Sequence, residues 1–236
     1  MIPRPSTAEP GGPAPWACLP TSARTGITLA SVVDALGRAG RLLGDERTAG
    51  PAASGPHARR LPGTGRTSAS NGSGRPAAVL VALFEEGGES RVVLTRRAGT
   101  LRSHRDQVSF PGGRIDPGED AVAAAVREAL EEIALDPGLV RPVAVLPPSW
   151  AFVSGTEITP VVATLERRPE LVANPAEVAR VFDVSLADLA AAYREERWIE
   201  REVGSFPMYF FEVAAETVWG ATARMLVDLL RVVLAG

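Results

Sequence analysis

The stretch GRIDPGEDAVAAAVREALEEIAL, from Gly113 to Leu135, decides how this chain is read. Pro111-Gly112-Gly113 leads in as a turn. Asp116-Pro117-Gly118-Glu119 then reads as a helix start: Asp116 can cap, Pro117 suits the first helical position, and Glu119 completes a D-x-x-E capping box. The helix should run to about Ile133 and stop before Pro137-Gly138. Ala121, Ala123, Ala124, Ala125 and Val126 are small enough to let it lie close to a sheet. Residues three and four apart are neighbours on a helix, so Glu128, Glu131 and Glu132 should project together from the other side, with Arg127 about 100° around from Glu128. Like charges at this spacing repel by roughly 0.2–0.5 kcal/mol per pair. A chain that crowds them has a cation to hold, and an all-oxygen donor set suits Mg²⁺ or Mn²⁺.

Working outward, the composition narrows the function. The chain has 236 residues, 45% of them hydrophobic, so it can build a real core. Its net charge of -3 lacks the basic footprint of a nucleic-acid binder. Lysine is absent and every basic side chain except histidine is Arg. Cys18 is the single cysteine, so no intrachain disulfide can form. No run approaches the roughly 18 apolar residues of a membrane span. The N-terminus has no continuous apolar segment of the kind a secretory signal needs. No nucleic acid, no membrane and a cytoplasmic location are the expectations.

The pattern of elements points to a mixed sheet flanked by helices, since strands and helices do not alternate regularly. Residues 1 to 26 read as irregular, and 28 to 43 as an amphipathic helix with Leu29, Val32, Val33, Leu36 and Leu43 on one face. Residues 44 to 75 read as a linker rich in Gly, Pro, Ser and Arg. An N-terminal extension, 1–75, is thus expected before a catalytic domain, 76–236. Ala77 to Phe84 and Arg91 to Arg96 should form a hairpin. Val140 to Leu146 and Glu157 to Leu165 read as strands, with Pro147 to Gly155 a loop between them. Pro175 to Phe182 is a helical turn or a strand. Leu186 to Glu196 reads as helix, Arg197 to Val213 as hairpin strands, and Thr217 to Leu234 as a C-terminal helix.

An Arg-Glu-x-x-Glu-Glu string alone is an ordinary solvated helix face. Its spacing says more. Gly113, Glu119, Arg127-Glu128, Glu131-Glu132 and Leu135 resemble the Nudix box, G-x5-E-x7-R-E-U-x-E-E-x-G-U, with U apolar. Every charged position matches. The resemblance implies a Nudix α/β/α sandwich that hydrolyses a nucleoside diphosphate linked to another group. It further implies that Glu128 and Glu132 bind the metal, that Glu131 binds metal or serves as base, and that Arg127 orients the cluster. Ala134 stands where the box has its last Gly. That position suits a left-handed residue, where Ala costs roughly 1 kcal/mol.

The lead-in LTRRAGTLRSHRDQVSFPGG, Leu94 to Gly113, resembles the signature of the coenzyme A pyrophosphatase subgroup, L-T-x-R-[SA]-x3-R-x3-G-x3-F-P-G-G. Leu94, Thr95, Arg97, Ala98, Arg102, Phe110, Pro111, Gly112 and Gly113 match. Asp106 replaces the subgroup's Gly. Coenzyme A carries a diphosphate and a 3′-phosphate, and Arg suits bidentate phosphate contacts, so Arg97, Arg102, Gly112 and Gly113 are the expected substrate contacts. Arg105 lies close by in sequence. His104, His57 and Cys18 are read as non-catalytic. A further carboxylate from outside the box is expected, with Glu177 in NPAEV first and Glu157 second. The leading reading is therefore metal-dependent hydrolysis of coenzyme A or acyl-coenzyme A to 3′,5′-ADP and (acyl-)phosphopantetheine. ADP-ribose, a dinucleotide or a nucleoside triphosphate are rival substrates, and a non-catalytic nucleotide sensor is the rival of another class. A homodimer is an open alternative to a monomer.

Overall fold

The run AAVLVALF has no alternation of apolar and polar residues because both of its faces are covered. The structure is a computed structural model and describes residues 7–44, 76–99, 106–151, 155–200 and 204–235. In chain order the elements are β1 (Ala8–Pro10), α1 (Thr21–Arg24), α2 (Leu29–Arg38), β2 (Ala77–Glu86), β3 (Glu89–Arg97), β4 (Val108–Ser109), β5 (Gly112–Arg114), α3 (Ala121–Ile133), β6 (Val140–Val145), β7 (Ser149–Ala151), β8 (Thr156–Leu165), β9 (Val178–Ser185), α4 (Leu186–Ala191), β10 (Tyr193–Glu200), β11 (Gly204–Val213), β12 (Glu216–Trp219) and α5 (Gly220–Leu234). In β2, Ala78, Leu80, Ala82 and Phe84 face a cluster that includes Ala124, Ala125, Ala129 and Ile133 of α3. Val79, Val81 and Leu83 face a cluster with Val32 and Leu36 of α2 and Leu226, Leu229 and Leu230 of α5. The fold is thus the expected α/β/α sandwich.

The main sheet runs β4-β3-β2-β8-β6, with β9 beside β3, β5 beside β2 and β7 beside β8. β2 and β8 are parallel, and the β2–β3 hairpin is antiparallel, so the sheet is mixed. Gly87 (φ 63°) and Gly88 (φ 80°) make the two-residue turn of that hairpin, where a left-handed backbone matches the strand twist. The hairpin then splits. Leu83 to Glu86 of β2 pair with Glu89 to Val92 of β3. Further along, Thr95 and Arg96 pair with β4 instead, while Ala77 to Val79 pair with β5. The β4–β5 segment is wedged into this split, with β5 beneath α3 and Val108 and Phe110 turned to the opposite face.

Several expected boundaries are corrected. Gly118 has φ 87°, which stops a helix from passing through it. Asp116 to Glu119 therefore form a turn, and α3 begins at Ala121 with Asp120 as its cap, accepting from the Ala123 N–H at 2.8 Å. Pro-Gly-Gly is a bend at Pro111 that enters strand β5. The loop 147–155 contains β7. Pro175 to Phe182 resolves into a turn and the start of β9. The helix expected to Glu196 ends at Ala191; Tyr193 onward pairs with β11. Thr217 to Trp219 belong to β12, and α5 starts only at Gly220, whose φ of 67° separates the two.

The N-terminal residues pack on the rest of the molecule. β1, in the segment read as irregular, pairs with Glu196 to Trp198 of β10. The Trp16 ring is buried, its indole N–H donates to the Ala190 carbonyl at 2.9 Å, and it meets the Tyr193 ring edge-on at 5.3 Å. The helix expected over 28–43 stops at Arg38, because Gly40 takes φ 63° and Leu42 bridges to Ala144 of β6. Residues 45–75, with His57, lie outside the described residues. Among the described residues no helix is long and apolar enough to cross a membrane.

Candidate active site

Of the carboxylates of α3, Glu132 turns into the split in the sheet, Glu128 lies against Gly113, and Glu131 stays on the solvent side. Glu132 is 2% exposed, which corrects the expectation of an acidic face opposite the packed one. Two glycines make this burial feasible. The Gly112 N–H donates to Glu132 Oε2 at 3.1 Å. Gly112 itself lies so close to β2 that a side chain there would sit 2.4 Å from the Ala78 carbonyl oxygen. A side chain at Gly113 would sit 2.4 Å from the Glu128 carboxyl carbon. The Pro-Gly-Gly sequence therefore clears the space that the two carboxylates fill.

Arg127 ties the rest together. Its Nε and Nη2 donate to the two oxygens of Glu119 at 2.9 and 3.0 Å, a bidentate pair. Nη1 donates to Glu128 at 3.0 Å and to Glu131 at 3.2 Å, and Nη2 also reaches the Arg114 carbonyl at 3.0 Å. A guanidinium has five N–H groups, and each of these now has an acceptor. Arg127 thus bonds Glu119, Glu128 and Glu131 together.

Electrostatics separate the carboxylates. Burial pushes Glu132 up to about 7, against the pull of the Gly112 N–H and of Arg97, while the charges of Glu177 and Glu128 push the same way as burial. Burial also raises Glu128, opposed by Arg127 and reinforced by Glu131 and Glu177. Glu119, bonded to Arg127 and to the Asp116 N–H, is lowered. Glu177 is therefore within electrostatic reach of both Glu128 and Glu132. Glu157, the second outside candidate, is exposed opposite Trp150 and does not figure among the charges acting on either one.

Arg97, at the end of β3, reaches Glu132 Oε1 at 3.5 Å. Arg102, His104 and Arg105 lie outside the described residues. Asp106 takes φ 56° and Ala134 φ 53°, so both positions where the motifs carry Gly keep the left-handed backbone that favours Gly. Among the described residues no three carboxylates or imidazoles are drawn onto one point as a closed metal cluster, and Arg127 occupies Glu128 and Glu131 here. The donor chemistry still fits a hard divalent cation: Glu128 and Glu131 share the Arg127 guanidinium, and the buried Glu132, with only Arg97 at 3.5 Å as a positive partner, is costly to ionise.

A family model described as NUDIX domain matches residues 74–203. The chain belongs to the Nudix family. An uncharacterized Nudix hydrolase, NudL, of Cronobacter sakazakii is 39% identical over 160 residues, covering 66% of this chain and 81% of that protein. Nudix hydrolase 22, chloroplastic, of Arabidopsis thaliana is 39% identical over 170 residues, covering 67% of this chain and 55% of that protein. A Nudix hydrolase from M. smegmatis, RenU, is 28% identical with a TM-score of 0.40, covering 47% of this chain and 70% of that one. Membership makes this chain a Nudix pyrophosphohydrolase, acting on the diphosphate of a small nucleotide derivative with a divalent cation.

Sequence reasoning missed the Nudix helix cap at Asp120 and the contacts that fasten Glu177. Asp120 was readable: an Asp directly before an apolar helical run is a cap signal. The fastening was not, because it joins residues more than 40 positions apart.

Proposed function

We propose that this Nudix enzyme hydrolyses the diphosphate of coenzyme A or its acyl derivatives, releasing 3′,5′-ADP and (acyl-)phosphopantetheine, with Mg²⁺ or Mn²⁺. One observation carries the reading. The lead-in that matches the coenzyme A signature begins and ends on the same carboxylate: Arg97 and Gly112 both reach Glu132. Both described ends of the matching segment thus touch a carboxylate that, in this reading, belongs to the reaction centre. Its one mismatch, Asp106, retains the backbone conformation of the Gly it replaces.

In this reading Glu128, Glu131 and Glu132 hold the metal, which when bound neutralises diphosphate charge and acidifies the attacking water. Glu177 accepts the proton of that water, with Glu131, more than half exposed, as the other base within the cluster. Arg127 keeps the carboxylates in register. Arg97 and Arg102 contact phosphate oxygens, and the 3′-phosphate gives an Arg-rich lead-in a third anion to grip.

The test is a substrate panel with each metal: coenzyme A, its acyl and oxidised forms, ADP-ribose and NADH, with products identified by mass. Release of 3′,5′-ADP at the highest kcat/KM supports the proposal. Efficient turnover of ADP-ribose or NADH with coenzyme A left intact overturns it.

A further inference from the structure

The segment that follows β8 is fastened to the last turn of α3 at the two residues that carry its terminal carboxylates. The Asn174 N–H donates to the Glu132 carbonyl at 2.8 Å, and its side-chain amide donates to the Glu131 carbonyl at 3.4 Å. One step earlier, the Val172 N–H reaches the Ile133 carbonyl at 3.0 Å. These carbonyls are the acceptors that a helix leaves unpaired at its C-terminal end, so the segment caps the helix from outside.

From that anchor Asn174-Pro175-Ala176-Glu177 forms a tight turn. Asn at the first position and Pro at the second are the residues such a turn favours: Asn bonds its own backbone two residues on, and Pro presets the angle. Asn174 Oδ1 accepts from the Ala176 N–H at 3.2 Å, and the Asn174 carbonyl accepts from the Glu177 N–H at 3.0 Å and the Val178 N–H at 2.8 Å. The far side is pinned as well, since the Ala98 N–H donates to the Glu177 carbonyl at 2.8 Å, next to Arg97. Glu177 thus stands on a short bridge between the carboxylate helix and the strand end that carries Arg97. Its charge is felt by both Glu128 and Glu132.

We propose that Asn174 is a positioning residue for the reaction, clamping the turn that presents the Glu177 carboxylate to the Glu128–Glu132 recess. This rests on Glu177 acting in the reaction, and it is independent of which nucleotide is hydrolysed. The main-chain bonds fix the two ends of the bridge, at Glu132 and at Ala98, and leave the Pro175–Ala176 corner between them to the side chain. The side-chain amide, bonded forward to Ala176 and back to Glu131, holds that corner. Misplacement of a reacting group by about 1 Å can cost on the order of a hundredfold in rate.

The experiment compares Asn174→Ala, Asn174→Asp, Glu177→Gln and the Asn174→Ala/Glu177→Gln double variant on coenzyme A and ADP-ribose, using whichever turns over faster. Amide exchange of residues 172–178 is followed in the metal-free proteins. Asn174→Ala is expected to lower kcat about tenfold or more with KM held within about twofold. Exchange at Ala176 and Glu177 should quicken while Tm moves little. Asn174→Asp keeps the acceptor for the Ala176 N–H but loses the donor to the Glu131 carbonyl, so it should recover only part of kcat. The double variant should be no slower than Glu177→Gln, because two residues acting through one group are not additive. Multiplying losses in the double variant, or slow turnover with unchanged exchange, overturns the assignment. Wild-type turnover by Glu177→Gln overturns the role of Glu177 itself. A slow Glu177→Gln beside a normal Asn174→Ala removes only the positioning role. Should Asn174→Ala fold poorly, Asn174→Ser, which retains an acceptor for the Ala176 N–H, tests the same clamp.

Discussion

The two faces of the main sheet are built to different specifications. On one, Ala78 and Ala82 of the sheet and Ala124, Ala125 and Ala129 of α3 share a cluster in which alanines are frequent, with Leu80, Phe84 and Ile133 among them. On the other, Trp16, Phe110, Phe211 and a set of leucines fill a thick layer against α2, α4 and α5. Small side chains let a helix approach a sheet closely, and that closeness is what brings Glu132 to the Gly112 N–H. Bulk does the opposite work. Each fully buried large apolar side chain contributes about 1.5–3 kcal/mol, so the thick face, with more of them and no buried α3 carboxylate, supplies the larger share of stability.

The contrast breaks if function and stability do not separate. The largest expected effect is on the thin face: Glu132→Gln should lower kcat by about a thousandfold, roughly 4 kcal/mol of transition-state stabilisation, in a steady-state assay with Mg²⁺. Near-normal turnover would remove Glu132 from the site. On the thick face, Trp16→Ala deletes a buried ring and a hydrogen bond, and should cost about 3–5 kcal/mol in denaturant unfolding while sparing turnover per folded molecule.

The buried carboxylate also gives the thin face a pH signature in metal-free protein. Glu132 is raised to about 7 in the fold from an ordinary value of 4.5, so the folded state holds its proton where the unfolded state has lost it. The stability it contributes is full below pH 4.5, declines as pH rises and is gone above about 7. The difference amounts to about 3 kcal/mol. Calorimetry in chelator should therefore show metal-free Glu132→Gln gaining on wild type between pH 5 and pH 8. Equal profiles would mean that the site relaxes or hydrates when ionised.

Smaller effects sharpen the picture at the left-handed residues. Ala134→Gly relieves φ 53° at the end of α3 and should add about 1 kcal/mol, a rise of about 2–4 °C in Tm, with turnover unchanged. Asp106→Gly should add less than about 1 kcal/mol, since Asp tolerates this region, and should move KM more than kcat by removing an anion from the lead-in.

The sequence carried the thin face more fully than the thick one. The spacing from Gly113 to Leu135 is local, so the placing of Glu128, Glu131 and Glu132 on one helix and the left-handed Ala134 were legible, while the burial of Glu132, which depends on Gly112 of a separate strand, was not. What failed locally was decided by single backbone angles. Gly118 and Gly220 each bar a helix from continuing, moving the start of α3 from Pro117 to Ala121 and that of α5 from Thr217 to Gly220. The thick face depends on distant partners. Nothing in MIPRPSTAEPGGPAPW indicates that Ala8 to Pro10 will pair with β10 or that Trp16 will find Ala190. Tyr193 to Glu196 could follow the helical pattern of α4 until pairing with β11 claimed them.

Arg127 carries a last consequence. Its five N–H groups are all engaged, two of them on Glu128 and Glu131. Each of those two bonds takes one oxygen of its carboxylate, so in the proposed reading a divalent ion at the Arg127-bonded oxygens would meet a resident cation and not a bare cage. The bonds to Glu119 and the Arg114 carbonyl would still hold the guanidinium nearby. Metal affinity would then depend as much on what Arg127 gives up as on what the carboxylates gain.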